Sequence, residues 1–397
     1  MTHQHNTITL NLPSPPFSKG GLRGIWVLVF LSYFLSYPDQ VFSSSLTLSG
    51  SYKSLLMIGE TLSKEDFWSD LNRLRLEIDI KPVETILIKT VYDNEAIIGT
   101  FLKTGEFAFA KKAKESTLFD LSREITDHQN LFWRHSLYRL YLTYSKRGLN
   151  LTVGRQRVAW GQARIWNPTD LFNPVSPLRI EREHRTGVDA VNIDYSFGPL
   201  AGLNIVYAPG NERTEGSAGA RVRTNIKGYD LSIMTGEFRK NKVMGLDFAG
   251  NIGDSGFRGE GVFTDQKEGR DFSRLVLSWD YNFPGTLYLL LEYLYNGGNL
   301  GRDASPLSIT QFSGEIVTRN RNFLASGIGY DLTPLARFDL YGIYDIDAGS
   351  LFLNPGIRYN IRRDLDWVTG SQIFSGNEES EYGPFPDTYY TSLEWYF

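Results

Sequence analysis

From Leu46 onward, apolar and polar residues alternate in segments of about ten residues that are separated by turns. In the segment 74–80 (LRLEIDI), leucine or isoleucine occupies every second position and charged residues lie between them. The segments 191–197 (VNIDYSF) and 274–281 (RLVLSWDY) repeat this period of two. Side chains of a β-strand alternate between two faces, whereas residues spaced two apart do not lie on one face of a helix. The chain is therefore predicted to be all-β, without a helix of useful length after residue 60.

Charged residues in the middle of these strands discriminate between β folds. Arg75, Glu77, Asp280, Glu292 and Asp339 lie opposite faces that are apolar and aromatic. A period of two by itself also describes a soluble sandwich or a propeller. A charged face that needs water, behind an apolar face that avoids it, is instead typical of a transmembrane β-barrel.

The connectors alternate between short turns and long or charged segments. Outer-membrane barrels have short periplasmic turns and longer outer loops, so this alternation favours a transmembrane antiparallel up-and-down β-barrel. We expect about 18 strands, or about 16 if the glycine-bearing segments 243–250 and 257–264 are not strands. The long or charged connectors are expected at roughly 93–134, 155–186, 209–217, 237–242, 265–271, 297–321 and 375–387.

The last strand, TYYTSLEWYF, ends in Phe397 and collects aromatic residues on one face. A terminal strand that closes on an aromatic residue resembles the signal recognised by the assembly machinery of outer-membrane barrels. The predicted partners are therefore outer-membrane lipid and, through Phe397, the barrel-assembly machinery. The predicted location is the cell outer membrane.

The N-terminal segment is predicted to be a leader that is removed. An apolar run from Ile25 to Tyr37 follows Lys19 and Arg23 and precedes small residues, and it is too short to span a membrane as a helix. A buried helix or an uncleaved anchor is the alternative. We expect residues 1–44 to be leader and secretory signal, and residues 45–397 to form one barrel domain.

Composition narrows the function classes further. The chain of 397 residues contains no cysteine, which removes disulfides, thiol catalysis and cysteine-ligated metals. Its net charge of -4 comes without an extended basic tail, so nucleic acid is not expected as a partner. A mean hydropathy of -0.27 with abundant tyrosine and glycine is typical of a β protein of the bacterial envelope.

Motifs for catalysis are missing from the sequence. His128, His135 and His184 follow the leader, and none lies in an HExxH motif. No phosphate-binding GxxxxGKS or GxxxxGKT loop and no GxSxG nucleophile elbow occurs. We expect no metal site, no cofactor and no enzymatic activity. The alternative to transport is a surface scaffold or adhesin, or a hydrolase sited at the barrel rim.

Arginines on the predicted lumen faces are candidate pore-lining residues. A barrel of 16 to 18 strands is wide enough for an aqueous channel, and rings of charge tune the solute preference of a wide pore. The alternative is that these charges only pair with neighbouring acids. The candidates are Arg139, beside an outward Tyr138, together with Arg221, Arg223 and Arg274.

The segment 155–186 is predicted to fold into the barrel as a constriction loop. Its prolines lock the backbone, and its aromatic residues are expected to pack on the wall. An external loop used for packing or subunit contact is the alternative. Strict alternation directs Arg155 toward lipid, so we expect a bulge or bend at Gly154 that turns it inward. The constriction candidates are Arg155, Gln156, Arg157, Arg164, Asn167 and Asp170, and the predicted anchors are Trp160, Trp166 and Phe172.

The segment LTVGRQRVAWGQARIWNPTDLFNP resembles porin-like outer-membrane proteins, among them alginate-export-type barrels, that carry a GRQ…WG…NP.D motif. The matching residues are Gly154, Arg155, Gln156, Trp160, Gly161, Asn167, Pro168 and Asp170. The resemblance covers about 135–200 and is general barrel character elsewhere. It implies a passive pore, through which small hydrophilic solutes, including anionic or carbohydrate-like ones, diffuse or are exported. The oligomeric state stays open.

Overall fold

The computed structural model describes residues 45–112, 117–174, 176–181, 187–210, 215–301, 304–306 and 316–397. The predicted leader and His184 lie outside these ranges, and so does part of the predicted constriction loop. In the described residues the chain is a closed antiparallel barrel of 18 strands, as predicted. No helix in these ranges is long and apolar enough to cross a membrane.

The strands account for most of the described chain. The first ten are β1 (Ser45–Glu60), β2 (Asp66–Val83), β3 (Ile86–Gly99), β4 (Ser122–His128), β5 (Leu131–Lys146), β6 (Leu149–Gln156), β7 (Val188–Ser196), β8 (Gly202–Ala208), β9 (Ser217–Ile226) and β10 (Tyr229–Phe238). The others are β11 (Asn241–Ile252), β12 (Ser255–Asp265), β13 (Phe272–Asn282), β14 (Tyr288–Asn296), β15 (Asn322–Thr333), β16 (Ala336–Asp345), β17 (Ser350–Arg362), β18 (Leu365–Ser375) and β19 (Thr388–Tyr396).

The first and last strands close the barrel. β1 pairs with β2 on one side and with β19 on the other, and Ser51 lies opposite Tyr396. Beyond β19, the backbone of Phe397 exchanges two hydrogen bonds with Gly50, at 2.8 and 3.0 Å. Closure pairs the edges that an open sheet would expose, which a membrane-spanning sheet requires.

The strand β4 is additional to the 18 barrel strands and fills a gap in the wall. β5 pairs with β6 from Leu140 to Lys146, and with β4 from Leu131 to Ser136. β4 therefore occupies the place along β5 that β6 would take if it continued beyond Gln156. Since β6 stops there, the chain is free to leave the wall and enter the barrel.

The two faces of the strands differ as predicted. On β13, Leu277 is 39% exposed on the outward face while the next residue inward, Val276, is 0% exposed. One inferred facing is wrong, because a register shift opposite Val91 and Tyr92 makes Tyr138 the extra residue of β5. Its ring lies 4.3 Å from the guanidinium of Arg75, on the lumen side.

The connectors at the predicted periplasmic end are all short, two to five residues. Those at the other end include the long segments 100–130, 157–187 and 297–321. The alternation is not complete, because the charged segment at 237–242 holds only a two-residue turn, in which Arg239 and Lys240 have positive φ. The connector after β3 contains a 3-10 helix (Thr100–Lys103) and the short helix α1 (Gly105–Lys112), neither of which the alternation predicted.

Candidate functional site

The connector between β6 and β7, residues 157–187, is called the lumen loop below. Its first part packs on the inward faces of β8 to β12. Trp160 contacts Phe172 and Phe238 edge to face, with ring centroids 5.1 and 6.2 Å apart. The indole nitrogen of Trp160 donates to Asn204 Oδ1 at 2.9 Å. The same apolar cluster includes Val158, Val188, Ala190, Val206, Ala208, Met234, Val243 and Val262.

A buried glutamate on β12 binds the next part of the lumen loop. The carboxylate of Glu260, 1% exposed, accepts backbone N–H groups of Gln162, Ala163 and Thr169 at 2.6, 2.8 and 3.1 Å. It also accepts the hydroxyl of Thr169 at 2.7 Å. Hydrogen bonds to a charged acceptor are shorter and stronger than neutral ones, so this carboxylate fixes the loop backbone at β12.

A second buried glutamate, Glu292 on β14, repeats the arrangement. Its carboxylate, also 1% exposed, accepts the backbone N–H groups of Arg164, Ile165 and Trp166 at 2.9, 3.0 and 2.7 Å. Ile165 and Trp166 then pack into an apolar cluster on the inward faces of β13 to β17. The wall residues of that cluster are Val276, Leu290, Leu294, Phe323, Ala325, Ile343 and Phe352.

The turn around the NP.D sequence is stabilised by short-range hydrogen bonds. The side-chain amide of Asn167, in the orientation that satisfies both contacts, donates to Ala163 O and to Glu260 Oε1 at 3.1 Å each. Asp170 accepts the backbone N–H of Asn173 at 3.4 Å, and Asn173 accepts that of Val158 at 2.6 Å. Asp170 therefore participates in the turn, while Arg164 extends toward Asp280 at 3.8 Å.

Gly161 is required by this turn. Its φ is +99°, and a Cβ atom there would lie within 3 Å of Asn167, Thr169 and Glu260. Any side chain would therefore displace the groups that surround the Glu260 carboxylate.

The far end of the lumen loop contacts the other side of the barrel. Gln372 on β18 donates to Leu178 O at 2.7 Å. Glu181 accepts two hydrogen bonds from Arg73 on β2, at 2.8 and 3.0 Å, and lies 3.0 Å from Lys53 on β1. The described parts of the loop thus contact inward residues from β8 round to β2.

Ion pairs line the inward faces of β2, β3 and β5. Glu95 accepts hydrogen bonds from Arg73 at 2.6 Å and from Arg134 at 2.7 Å. Arg75 makes two hydrogen bonds to Asp93, at 2.7 and 2.6 Å. Closer to the short turns, Lys89 lies 3.1 Å from Glu77 and 3.3 Å from Asp79.

Arg155 does not reach the lumen, so this expectation is corrected. The pairing of β6 with β5 and with β7 runs through Gly154 without a register shift, although its φ is +121°. Arg155 therefore lies opposite Leu140, on the outward face. It is 4% exposed, bonded to Asp189 at 3.0 Å and to the carbonyl oxygen of Phe119. The ion pair is shielded at the seam where β6 leaves the wall, which removes the need for a bulge.

The other loop candidates differ in exposure. Gln156 lies inward, where it donates to Ala190 O at 3.0 Å and accepts from Asn192 at 3.1 Å. Arg157 is exposed. The side chain of Arg164, 47% exposed, projects from the loop between its two glutamate contacts. Trp160, Trp166 and Phe172 are all buried.

The four arginines predicted on lumen faces of strands, Arg139, Arg221, Arg223 and Arg274, lie on inward faces. Arg221 binds Asp247 at 3.0 Å and Ser232 at 2.8 Å. Arg223 makes two hydrogen bonds to Asp194, at 2.6 and 2.8 Å. Arg274 donates to Asn296 at 3.0 Å and to Ile316 O at 3.1 Å. Arg139 is half-buried opposite Val91.

Two connectors and the outer end of β16 meet in a buried polar cluster. Glu381 accepts the backbone N–H of Arg319 at 2.7 Å and that of Asn320 at 3.3 Å. Asp345 accepts the side chain of Asn320 at 2.8 Å. Burial raises the pKa of Glu381 to about 8, and the nearby charge of Asp345 adds to the rise while the backbone donors oppose it.

Sequence reasoning missed several of these residues. Glu260 stands between glycines in GFRGEGVF, and its inward neighbours on the strand are Arg258 and Val262, so no local pattern marked it. Arg73, Glu95 and Glu181 were missed because their partners are distant in sequence. His135 lies on the outward side of β5, opposite Asn94. Within the described ranges no group of His, Asp and Glu is placed to hold a metal ion.

The fold is shared with outer-membrane proteins of known structure. The outer membrane protein OpdK from Pseudomonas aeruginosa matches with a TM-score of 0.55 and 10% identity, over 90% of this chain and 100% of that chain. OccK5 (OpdH) of the same species matches with 0.56 and 9% identity, over 89% and 98%. OccAB1 of Acinetobacter baumannii matches with 0.56 and 8% identity, over 91% and 99%.

These identities establish a common fold and no more. No protein-family model matches the sequence. No curated protein matches it either.

Proposed function

We propose that the protein is an outer-membrane channel through which small hydrophilic solutes diffuse or are exported passively. The observation that carries this proposal is the water-exposed charge on inward faces. Side chains of Arg134, Arg164 and Arg223 remain 42%, 47% and 38% exposed although they lie inside the barrel. An 18-stranded barrel is also too wide to be filled by its own side chains.

The lumen loop is proposed as the constriction of this channel. It is bound to the wall through Glu260 and Glu292, so its backbone is held without a solute. Trp160 and Trp166 anchor it in apolar clusters on the same side of the barrel. The diameter that such a loop leaves open limits the size of the solutes that pass.

A preference for anionic or hydroxylated solutes is proposed from Arg164. Most other candidate arginines are already bonded to acids, as Arg221 is to Asp247, so their net field is small. Arg164 is more exposed and lies farther from its acid. Reversal potentials in a salt gradient test this preference. Cation selectivity that Arg164→Ala leaves unchanged would contradict it.

The resemblance to alginate-export-type barrels supports the proposal only through the loop. Four residues of the motif hold the lumen loop on the wall or stabilise its turn: Trp160, Gly161, Asn167 and Asp170. The motif therefore has a structural role in this chain. None of these contacts selects alginate. Export through the leader 1–44, and recognition of Phe397 by the assembly machinery, belong to the same proposal.

The experiment that tests the function is conductance of the purified barrel in planar bilayers, followed by liposome swelling. A channel gives steady current steps and swelling with small sugars or organic acids. A surface scaffold, an adhesin or a hydrolase at the rim with a closed lumen gives neither. We expect no enzymatic activity, and hydrolysis of lipid or peptide by the folded barrel would contradict that.

A further inference from the structure

Polar residues interrupt the apolar outward surface on one side of the barrel. We name this group the outer polar patch: Ser54 on β1, Asp70 and Asn72 on β2, Asn94 on β3, Arg123 on β4 and His135 on β5. Pairing registers place all six on the outward side, with Asn72 opposite Ala96 and both Asn94 and Arg123 opposite His135.

The patch lies inside the apolar band. Asp70 is paired with Leu56 on one neighbouring strand and with Ile98 on the other, and both are exposed apolar residues. Trp68, also exposed, lies nearer the outer end of the same strand, and Leu74 lies nearer the inner end. A carboxylate among lipid-facing leucine and isoleucine is unfavourable, because the bilayer core supplies no hydrogen bonds.

Hydrogen bonds within the patch satisfy only some of the polar groups that face the bilayer core. Ser54 and Asn72 donate to Asp70 at 3.1 and 2.9 Å, and the Tyr52 hydroxyl donates to Asn72. Trp133 donates to Asn94 at 2.9 Å. The result is an ordered polar surface, whereas the outward positions of β13 and β14 are apolar at Leu275, Leu277 and Leu291.

The charges of the patch are distributed so that it complements itself. Asp70 lies at the β2 end, whereas Arg123 lies at the β4 end beside His135. Ala96 on β3 is between them, because it pairs with Asn72 on one side and with Trp133 on the other. A twofold axis near Ala96 would bring Asp70 of each copy against Arg123 of the other, the property of an isologous interface.

We propose that the outer polar patch is the contact surface between two copies of this chain in the membrane. The second copy removes Asp70 from lipid and supplies an opposite charge to it. The proposal is independent of whether the barrel conducts.

The absence of cysteine makes a direct test possible. Ala96→Cys places one thiol near the axis, and Leu277→Cys, on an apolar outward surface, is the control. Oxidation in native outer membranes, followed by denaturing gels, should give a disulfide-linked dimer with Ala96→Cys and monomer with Leu277→Cys. Equal crosslinking of both variants, or none with Ala96→Cys, would overturn the proposal and leave lipid or another protein as the cover of the patch.

A charge exchange tests the pairing itself. Asp70→Arg should abolish most of the dimer measured by sedimentation in detergent, and Asp70→Arg with Arg123→Asp should restore it. Resistance of the folded barrel to unfolding in SDS without heating checks that each variant has folded. A folded Asp70→Arg variant that dimerises like the wild type, or a double variant that is not restored, would contradict the proposed twofold contact.

Discussion

The inward faces of β8–β17 and of β1–β5 arise from the same alternation but carry different chemistry. The first bears apolar side chains such as Val262, Leu294 and Phe323, together with two buried glutamates. The second bears ion pairs such as Arg75 with Asp93. The described part of the lumen loop covers the apolar wall and contacts the charged wall through Glu181, which binds Arg73, while Arg134 on the charged wall stays exposed to water.

The difference indicates how to recognise the part of a barrel wall on which an internal loop packs. In a wide barrel whose lumen contains only water, inward valine, leucine and phenylalanine side chains would be exposed unfavourably to water. Where such residues occur on inward faces, we expect a segment of the same chain to pack on them. A buried acid on the same wall, such as Glu260 or Glu292, supplies acceptors for the backbone donors of that segment.

The largest expected effect comes from removing both loop acceptors. Glu260→Ala with Glu292→Ala leaves six loop N–H groups without their carboxylates, and each buried unsatisfied donor costs about 1–3 kcal/mol. We expect the loop to detach, which trypsin cleavage after Arg164 and increased current noise would report. Glu77→Ala on the opposite wall is the control, because its partly exposed pair with Lys89 contributes about 1 kcal/mol or less. If trypsin does not cleave the peptide bond after Arg164 in the double variant, the carboxylates do not hold the loop.

Trp160→Ala tests the apolar contacts of the same wall. Truncating a buried tryptophan costs about 3–5 kcal/mol, so thermal unfolding in detergent should shift to a lower temperature. Trp279→Ala, on the lipid side of β13, should shift it much less. Equal shifts would mean that the loop adds no packing beyond that of an ordinary outward residue.

Arg75→Ala tests the charged wall. It leaves the buried Asp93 without its two hydrogen bonds, a loss of about 1.5–3 kcal/mol. The freed negative charge in the lumen should also move the reversal potential toward cations. Lys240→Ala, from an exposed pair with Glu215 in the outer connectors, should change both quantities little. Unchanged selectivity in Arg75→Ala would place the solute path away from this wall.

The last prediction concerns the outer connectors and pH. Because burial raises the pKa of Glu381 from its ordinary 4.5 to about 8, the folded state binds this proton more tightly than the unfolded state. Stability from this group is therefore lost as pH rises from about 4.5 to 8, and levels off above. Glu381→Gln should remove that part of the pH dependence of the melting temperature, and Glu378→Gln should keep it. Identical pH profiles for wild type and Glu381→Gln would contradict the shift.

Much of the barrel could be predicted from the sequence, because alternation and connector length are local properties. The faces of β13 and β19 follow directly from the spacing of residues such as Leu277 and Trp395. The facing of Tyr138 did not follow, because a register shift depends on the neighbouring strand. β4 was missed because it lies within the segment 93–134, which was predicted to be a connector, and it pairs there with β5.

The site was less predictable, since its contacts join residues that are far apart in sequence. The direction of Arg155 depended on Asp189 and Phe119, which shield it on the outward face. Glu260 binds the loop from about a hundred positions away, and no local pattern indicates which inward acid does so.

Single-channel conductance of the wild-type barrel, compared with a variant whose residues 159–181 are replaced by a short glycine-serine linker, tests the central claim most directly. We predict steady steps for the wild type and steps several-fold larger, with weaker size exclusion of neutral polymers, for the variant. Equal steps in the two proteins would contradict a constriction made by the lumen loop. No current from either would contradict the channel itself.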